Sequence, residues 1–508
     1  MYLKKELSWW DCSAIIVGII IGTGIFSIFP KLIAEKNIST GMILLAWFAG
    51  GIFAWFGAMC YAELSSLFPH AGGDYTFLHK AYSLKGENLV SFLFGWSQII
   101  VIRPASIVIL ALIFGKEMQI VFPNFSGMIW NPPFVFGLAL LIVTTLINIL
   151  GISAGKHTQN VMTVIKIGIL LFLIVNGLIK SFSMDVASNL QPFFLPENKN
   201  LWSVFPGFIS AIVLVMWVYG GWNEAAYVAE EVRNPHRDIP KALFVGIFSV
   251  MILYLGINYV FIVHFSPAVM AKSYSPASDL MGMWYSEKGR VIMSSIIMIS
   301  AAGAVNGLIM TGGRMIYGIA KSTESLFSLS KLHPRFKTPV MPLGVNFVLA
   351  LILIVISKGD SDFVDSLGFY TAGVYWYFFA LVVITLIIIR TKLTNVEIPY
   401  KVPFYPLSPI VFLIVSGILI WGAFDYKPFE TLVGISLLTV GIPLYYLMHF
   451  NRPENSLHLD NVEELMMMDV EDRRKNLADR RQNKVDRRKQ NLGREAASDY
   501  KESSPEES

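Results

Sequence analysis

The sequence predicts an all-α polytopic membrane protein with twelve transmembrane helices, the first and sixth of them interrupted. Three observations carry this. Of 508 residues, 54% are hydrophobic and only 15% charged, whereas a soluble chain carries about 25% charged residues. Apolar runs long enough to cross a bilayer, which takes about 20 residues, recur from residue 13 to 449. Two of these runs carry glycines at their centres: Gly22-Thr23-Gly24 in 15–33 and Gly220-Gly221 in 205–228. Each glycine costs a helix about 1 kcal/mol relative to alanine. Alone, such glycines suit close helix packing as well as function. Two interrupted spans at corresponding places in two halves point instead to a transporter site at the bilayer midplane.

The spans fall at roughly 13–33, 41–67, 88–114, 133–151, 158–180, 204–228, 241–264, 290–318, 340–357, 364–390, 406–424 and 429–449. The chain thus divides into an N-terminus (1–12), a twelve-helix transporter domain (13–449) and a charged C-terminal tail (450–508). The first span is too long and too glycine-punctured for a cleaved signal peptide. An even number of spans puts both termini on one side. A modest Lys/Arg excess in the loops of that side, and the basic tail, predict that both termini are cytoplasmic and that the protein lies in the plasma (cell inner) membrane. Residues 68–85 hold a Gly-Gly-Asp turn and amphipathic aromatics, which suggests an interfacial helix on the same face. Residues 230–241 read as a charged loop, with Pro235 and Pro240 suited to a helix start. In the tail, Asp-Arg-Arg recurs at 472, 479 and 486, with Leu477, Val485 and Leu492 as a thin apolar stripe. That is a solvated helix or a disordered tail drawn to anionic lipid, and no nucleic-acid partner is expected.

The two cysteines, Cys12 and Cys60, support neither a disulfide framework nor a Cys/His metal site. No Walker loop, HExxH or GxSxG pattern occurs, so an ATP-driven pump or a membrane hydrolase has no motif. No enzymatic activity, cofactor or metal ion is expected.

The chemistry lies at the breaks. A half-helix that starts after Gly22-Thr23-Gly24 presents free N–H groups and a positive dipole end, suited to a carboxylate. A half-helix that ends at Gly220-Gly221 presents free carbonyls, suited to an ammonium. One site with both fits a zwitterion. Trp217, one turn before the second break, is either a lid or a packing aromatic; Asn223, just after it, bridges helices or binds substrate. Lys166 sits at the centre of an apolar span, where a lysine costs roughly 2.5–3.5 kcal/mol. It is either hydrogen-bonded to a broken helix or a fixed charge in place of a coupling cation, and it can be both. Glu224 is a proton site, a partner for a cationic substrate, or an inward carboxylate paired with a hydroxyl. Arg103-Pro104 places a charge beside a helix kink, with no partner legible.

An ordered set of strings resembles the L-type amino acid transporter family of the amino acid–polyamine–organocation superfamily. They are GTGIF (22–26), MCYAELSSLFPHAGGDYTFL (59–78), VIRPAS (101–106), YGGWN (219–223) with AEEVRNP (229–235), VNG (305–307), and HP (333–334) with TPV (338–340). IPYKVPFYPLSP (398–409) is similar to prokaryotic members. The resemblance covers about residues 8–449 and implies a LeuT-type fold, with spans 1–5 and 6–10 as a 5+5 inverted repeat. It implies that Gly22, Thr23 and Gly24 bind the substrate carboxylate, and that the carbonyls of Ile20, Trp217, Val218 and Gly220 take the amine. It further implies that Trp217 is the aromatic gate, that Asn223 closes the site, and that Lys166 replaces sodium. Two positions depart from the family pattern. Glu224 stands where animal members have tyrosine, and Tyr375 in span 10 where some members have asparagine; both bear on side-chain preference or proton coupling. The loop 116–132 lacks the cysteine that tethers animal members to a glycoprotein, so no disulfide-linked heavy chain is expected. The function implied is a secondary amino acid carrier, by sodium-independent exchange or by proton symport. The competing class is an amino acid sensor or scaffold with a carrier-like body.

Overall fold

The computed structural model describes residues 3–35, 38–82, 89–124, 131–182, 200–273, 275–322, 324–358, 361–392 and 398–449. The tail from 450 onward, with its Asp-Arg-Arg repeat, lies outside the described residues.

Eleven of the described helices are long and apolar enough to cross a membrane. The twelfth crossing is short because it is broken. It runs as Leu201–Val218 and resumes as Glu224–Tyr227. Span 1 breaks likewise, into Trp9–Ile20 (span 1a) and the turns Gly24–Ser27 and Phe29–Ile33 (span 1b). The two pieces of span 6 are spans 6a and 6b. Spans 2 to 5 are Thr40–Leu67, Leu89–Val121, Pro132–Ile149 and Ile152–Ser181. Spans 7 to 12 are Pro235–His264, Pro276–Ser322, Val340–Ser357, Ser361–Lys392, Leu407–Tyr426 and Pro428–His449.

Several boundaries differ from expectation for physical reasons. Span 7 starts at Pro235, so the stretch read as a loop to 241 is largely helix; Pro235 occupies the first turn, where its missing N–H costs nothing, and Pro240 lies inside. Span 8 begins before residue 290 because a short helix joins it across Tyr285 and Ser286, the latter at φ +56°. In span 3 a π-turn at Gln98–Ile102 precedes Arg103-Pro104, the irregularity expected where a proline removes an N–H from the ladder. The helix predicted in 68–85 is Asp74–Tyr82.

Helix packing shows the repeat. Span 2 packs on span 7 and span 3 on span 8. Span 1 packs on span 7 as span 6 does on span 2; span 3 on span 4 as span 8 on span 9; span 5 on span 8 as span 10 on span 3. Exchanging each of spans 1–5 with the span five places later reproduces the set. Five is odd, so the second unit enters the membrane from the opposite face, and the repeat is inverted. Spans 11 and 12 pack outside it, on span 10.

Ion pairs and a backbone bridge close the N-terminal side. Leu7 pairs with Val232 as an isolated parallel bridge, with Leu7 N–H to Glu231 O at 3.0 Å and Arg233 N–H to Leu7 O at 2.9 Å. Glu231 meets Arg314 at 2.9 Å with both side chains buried, and Arg390 meets Glu63. Glu231→Ala leaves Arg314 charged and alone in the interior. Removing one member of a buried pair costs about 3–5 kcal/mol. The expected result is a marked fall in the thermal unfolding midpoint of the detergent-purified protein, with a smaller fall for Glu231→Gln; an unchanged midpoint for Glu231→Ala would show that the pair does not hold this side shut.

Candidate functional site: two apposed helix breaks

Span 1a ends where Ile21 leaves helical geometry (φ −74°, ψ 69°). Gly22 N–H then turns back to Ile20 O at 2.7 Å. Among the described residues, the N–H groups of Thr23, Gly24 and Ile25 make no hydrogen bond; they are the first donors of the restarting helix, which lack intrahelical partners. Span 6a ends similarly. Tyr219 N–H reaches Val215 O at 3.0 Å and Gly220 N–H reaches Trp217 O at 3.3 Å, while the carbonyls of Val218, Tyr219 and Gly220 receive no donor among the described residues.

The breaks touch each other. A Cβ on Gly24 would stand 3.2 Å from Val218 Cγ2. Gly221 has φ +112°, a left-handed conformation open mainly to glycine, and a Cβ there would meet Ile19 Cγ2 at 2.8 Å. Free N–H groups of one break and free carbonyls of the other therefore share one depth in the bundle.

Three side chains from neighbouring spans hold the unwound carbonyls of span 1. Lys166 Nζ donates to Gly18 O at 2.6 Å and Ile21 O at 2.9 Å. Ser300 Oγ is 2.9 Å from both Ile21 O and Gly22 O. Tyr254 OH donates to Ile20 O at 2.8 Å. Lys166 is thus tied to the break, as either reading of it requires, and makes no ion pair among the described residues. Ile20 and Trp217, expected to offer carbonyls to an amine, already have donors here: Ile20 O accepts Tyr254 OH and Gly22 N–H, and Trp217 O accepts Gly220 N–H. The unoccupied acceptors are those of Val218 and Gly220, with Tyr219 between them.

Behind span 6b lies a buried polar network. Glu224 meets Arg103 Nη1 at 2.8 Å and accepts the Thr311 hydroxyl; Arg103 also stacks over the Tyr227 ring at 5.3 Å. This supplies the partner for Arg103 that the sequence left open. Of the readings of Glu224, the carboxylate paired with a hydroxyl is the arrangement present, strengthened by a guanidinium. Asn223 Oδ1 accepts the Tyr375 hydroxyl at 3.0 Å, and Asn223 Nδ2 faces Asp74 Oδ2 at 3.4 Å. Tyr227 OH donates to the same oxygen at 2.9 Å.

Exposure divides the site. On the N-terminal side of the breaks, Leu7, Val232 and Glu231 are buried. On the other side, Ser27 is exposed, Gly24, Leu110, Gly220, Gly368 and Tyr375 are partly exposed, and Trp217 is 49% exposed. The Trp217 ring approaches Gly368 of span 10, where an added Cβ would lie 3.5 Å from it. Trp217 is therefore no core tryptophan, and the exposed residues next to the breaks lie on the side opposite the N-terminus.

Tyr254, Ser300, Thr311, Asp74 and Tyr227 were not legible as site residues. Tyr254, Ser300, Thr311 and Tyr227 are single polar groups in apolar runs; Asp74 lies in a string that carried the resemblance but suggested no chemistry.

Two broken helices, apposed through glycine and held by side chains from other spans, define a secondary carrier. The chain belongs to the amino acid permease family, whose profile matches residues 7–448. It is similar to the b(0,+)-type amino acid transporter 1 of Mus musculus, 31% identical over 451 residues, 88% of each chain. It is 28% identical over 455 residues to the large neutral amino acids transporter small subunit 2 of Mus musculus, covering 88% of this chain and 81% of that one. The serine/threonine exchanger SteT of Bacillus subtilis (strain 168) is 29% identical over 448 residues, 87% of this chain and 97% of its own.

Gly221→Ala tests the apposition. A residue forced into a sparsely populated backbone region costs about 1–3 kcal/mol, and the methyl also meets Ile19. Thermal stability should fall, whereas Gly168→Ala, where nothing lies within 4 Å of the new methyl, should match or exceed wild type. Equal midpoints for the two variants would refute the close contact.

Proposed function

We propose that this protein is a sodium-independent exchanger of neutral α-amino acids working by alternating access. The observation that carries this is the pairing, at one depth, of free N–H groups at Thr23, Gly24 and Ile25 with free carbonyls at Val218, Tyr219 and Gly220. A zwitterion satisfies both: its carboxylate meets the positive end of span 1b and its ammonium the carbonyl end of span 6a. Neutral side chains are favoured because Glu224 is already paired with Arg103, leaving no free acid there for a cationic side chain. That pairing also argues against proton symport through Glu224. Lys166 Nζ fills the place beside the carbonyls of Gly18 and Ile21 and donates to both, which removes the need for a coupling cation there. Asn223 and Tyr375 close the site from below, and Trp217 folds over the substrate from the open side. The printed names of the relatives, which include amino acid transporters and an exchanger, support the same reading.

The setting proposed is the cell's inner membrane with both termini cytoplasmic, so the breaks face outward in the conformation described. No disulfide-linked partner is proposed: Cys12 and Cys60 are free and buried.

The test is reconstitution. Uptake of a labelled amino acid into proteoliposomes should require unlabelled amino acid inside and be unchanged when choline replaces sodium. Uptake into empty vesicles driven by a sodium gradient would refute exchange and the fixed-charge role of Lys166 together.

The gate has its own outcome. Closing a lid completes the site and excludes water, so Trp217→Ala should depress exchange per folded molecule strongly and Trp217→Phe should retain most of it. Its stability loss should fall short of the roughly 3–5 kcal/mol of a core tryptophan truncation. Wild-type exchange by Trp217→Ala would move the gate elsewhere, with Tyr375 the next candidate.

A further inference from the structure

Asp74 is a buried carboxylate that the proposed transport cycle does not use. It starts the helix Asp74–Tyr82, between spans 2 and 3, and is 1% exposed. Oδ2 accepts Tyr227 OH and faces Asn223 Nδ2, and the buried carboxylate also has the Tyr61 hydroxyl beside it. Among the described residues Asp74 has no ion pair. The titratable and charged groups around it are Tyr61 from span 2, Glu224 and Tyr227 from span 6b, and Tyr375 from span 10, with Arg103 of span 3 committed to Glu224. Every one of these elements meets where the N-terminal side is shut.

We propose that Asp74 is a positioning residue of the gate on the N-terminal side: it orients Asn223 against Tyr375, and it holds a proton while that gate is shut and releases it when the gate opens. The orientation follows from donors and acceptors. An ionised or protonated Asp74 leaves Oδ2 as an acceptor, so the Asn223 amide turns its N–H toward Asp74 and its oxygen toward the Tyr375 hydroxyl. A helix outside the membrane core is thereby linked to the residue that follows the span 6 break.

The proton follows from burial. Desolvation, helped by the charge of Glu224 and opposed by hydrogen bonds from Tyr227, Tyr61 and Asn223, pushes the Asp74 carboxyl up to about 7. Opening the gate admits water and returns the group toward the usual carboxylate value of about 4. The shut form therefore binds the proton more tightly. Its advantage is full below about pH 4, declines by up to tenfold per unit as pH rises toward about 7, and is constant above that. Opening toward the N-terminal side is favoured as pH rises through this window.

The inference rests on the carrier reading, so its test includes a readout independent of transport. In protein with Leu7→Cys and both native cysteines replaced by serine, maleimide labelling of position 7 reports parting of the Leu7–Val232 contact. The ratio of labelling rates with Asp74 to those with Asp74→Asn cancels the intrinsic thiol chemistry. This ratio should rise severalfold from pH 5.5 to 7 and then level. Exchange in proteoliposomes should follow the same profile in wild type and lose it in Asp74→Asn. Tyr227→Phe removes a bond to the ionised carboxylate and should move the midpoint to higher pH, which serves if Asp74→Asn does not fold. A labelling ratio flat with pH, or a midpoint unmoved in Tyr227→Phe, overturns the proposal. A labelling step without any amino acid exchange leaves it standing and defeats the carrier reading instead.

Discussion

Unwinding a helix inside a bilayer strands backbone groups that water cannot reach, each at a cost of several kcal/mol. This fold meets that cost selectively. The carbonyls released at Ile20, Ile21 and Gly22, and Gly18 beside them, are taken by Lys166, Tyr254 and Ser300, from spans 5, 7 and 8. The N–H groups at Thr23, Gly24 and Ile25 and the carbonyls at Val218 to Gly220 have no hydrogen-bond partner among the described residues. The part of the break that is structural is satisfied internally, and the part left open matches an amino acid main chain in charge and polarity. The two glycine contacts, Gly24 against Val218 and Gly221 against Ile19, bring those open groups together.

Polarity is distributed to suit such a cycle. Among the described residues the buried ion pairs lie on the N-terminal side of the breaks: Glu231 with Arg314, Glu224 with Arg103, Glu63 with Arg390. Buried pairs of this kind add little net stability over an apolar replacement but are costly to leave half-made. They suit a gate with two definite arrangements, since an intermediate position would strand a charge. The opposite side, where Trp217 and Ser27 are exposed, has no comparable pair among the described residues.

Much of this was legible in the sequence. Both breaks, the burial of Lys166, the twelve crossings and the helix at Asp74 follow from hydropathy and glycine placement, and ordered strings carried the family resemblance. What was not legible depends on side chains that meet across the fold. Arg103 and Glu224 are separated by 121 positions, and each shows only as an isolated charge in an apolar run. Tyr254 and Ser300 look like ordinary polar residues until the break in span 1 is placed beside them. The carbonyl of Ile20 illustrates the limit: its exposure at a helix end was predictable, but its occupation by Tyr254 was not. The start of span 7 moved to Pro235 because the charged residues that suggested a loop lie along the first turns of a helix, with Asp238 buried.

Binding of an α-amino acid to purified Gly24→Val protein tests most directly whether the substrate main chain is held between the breaks. A branched side chain here presses on Val218 and covers the free N–H groups, while Lys166, the ion pairs and Trp217 are left unchanged in sequence. Ligand-induced thermal stabilisation should be lost in Gly24→Val while the protein stays folded, and amino acid methyl esters should bind poorly to wild type because they lack the carboxylate charge. Wild-type affinity in Gly24→Val would contradict a substrate site at this break.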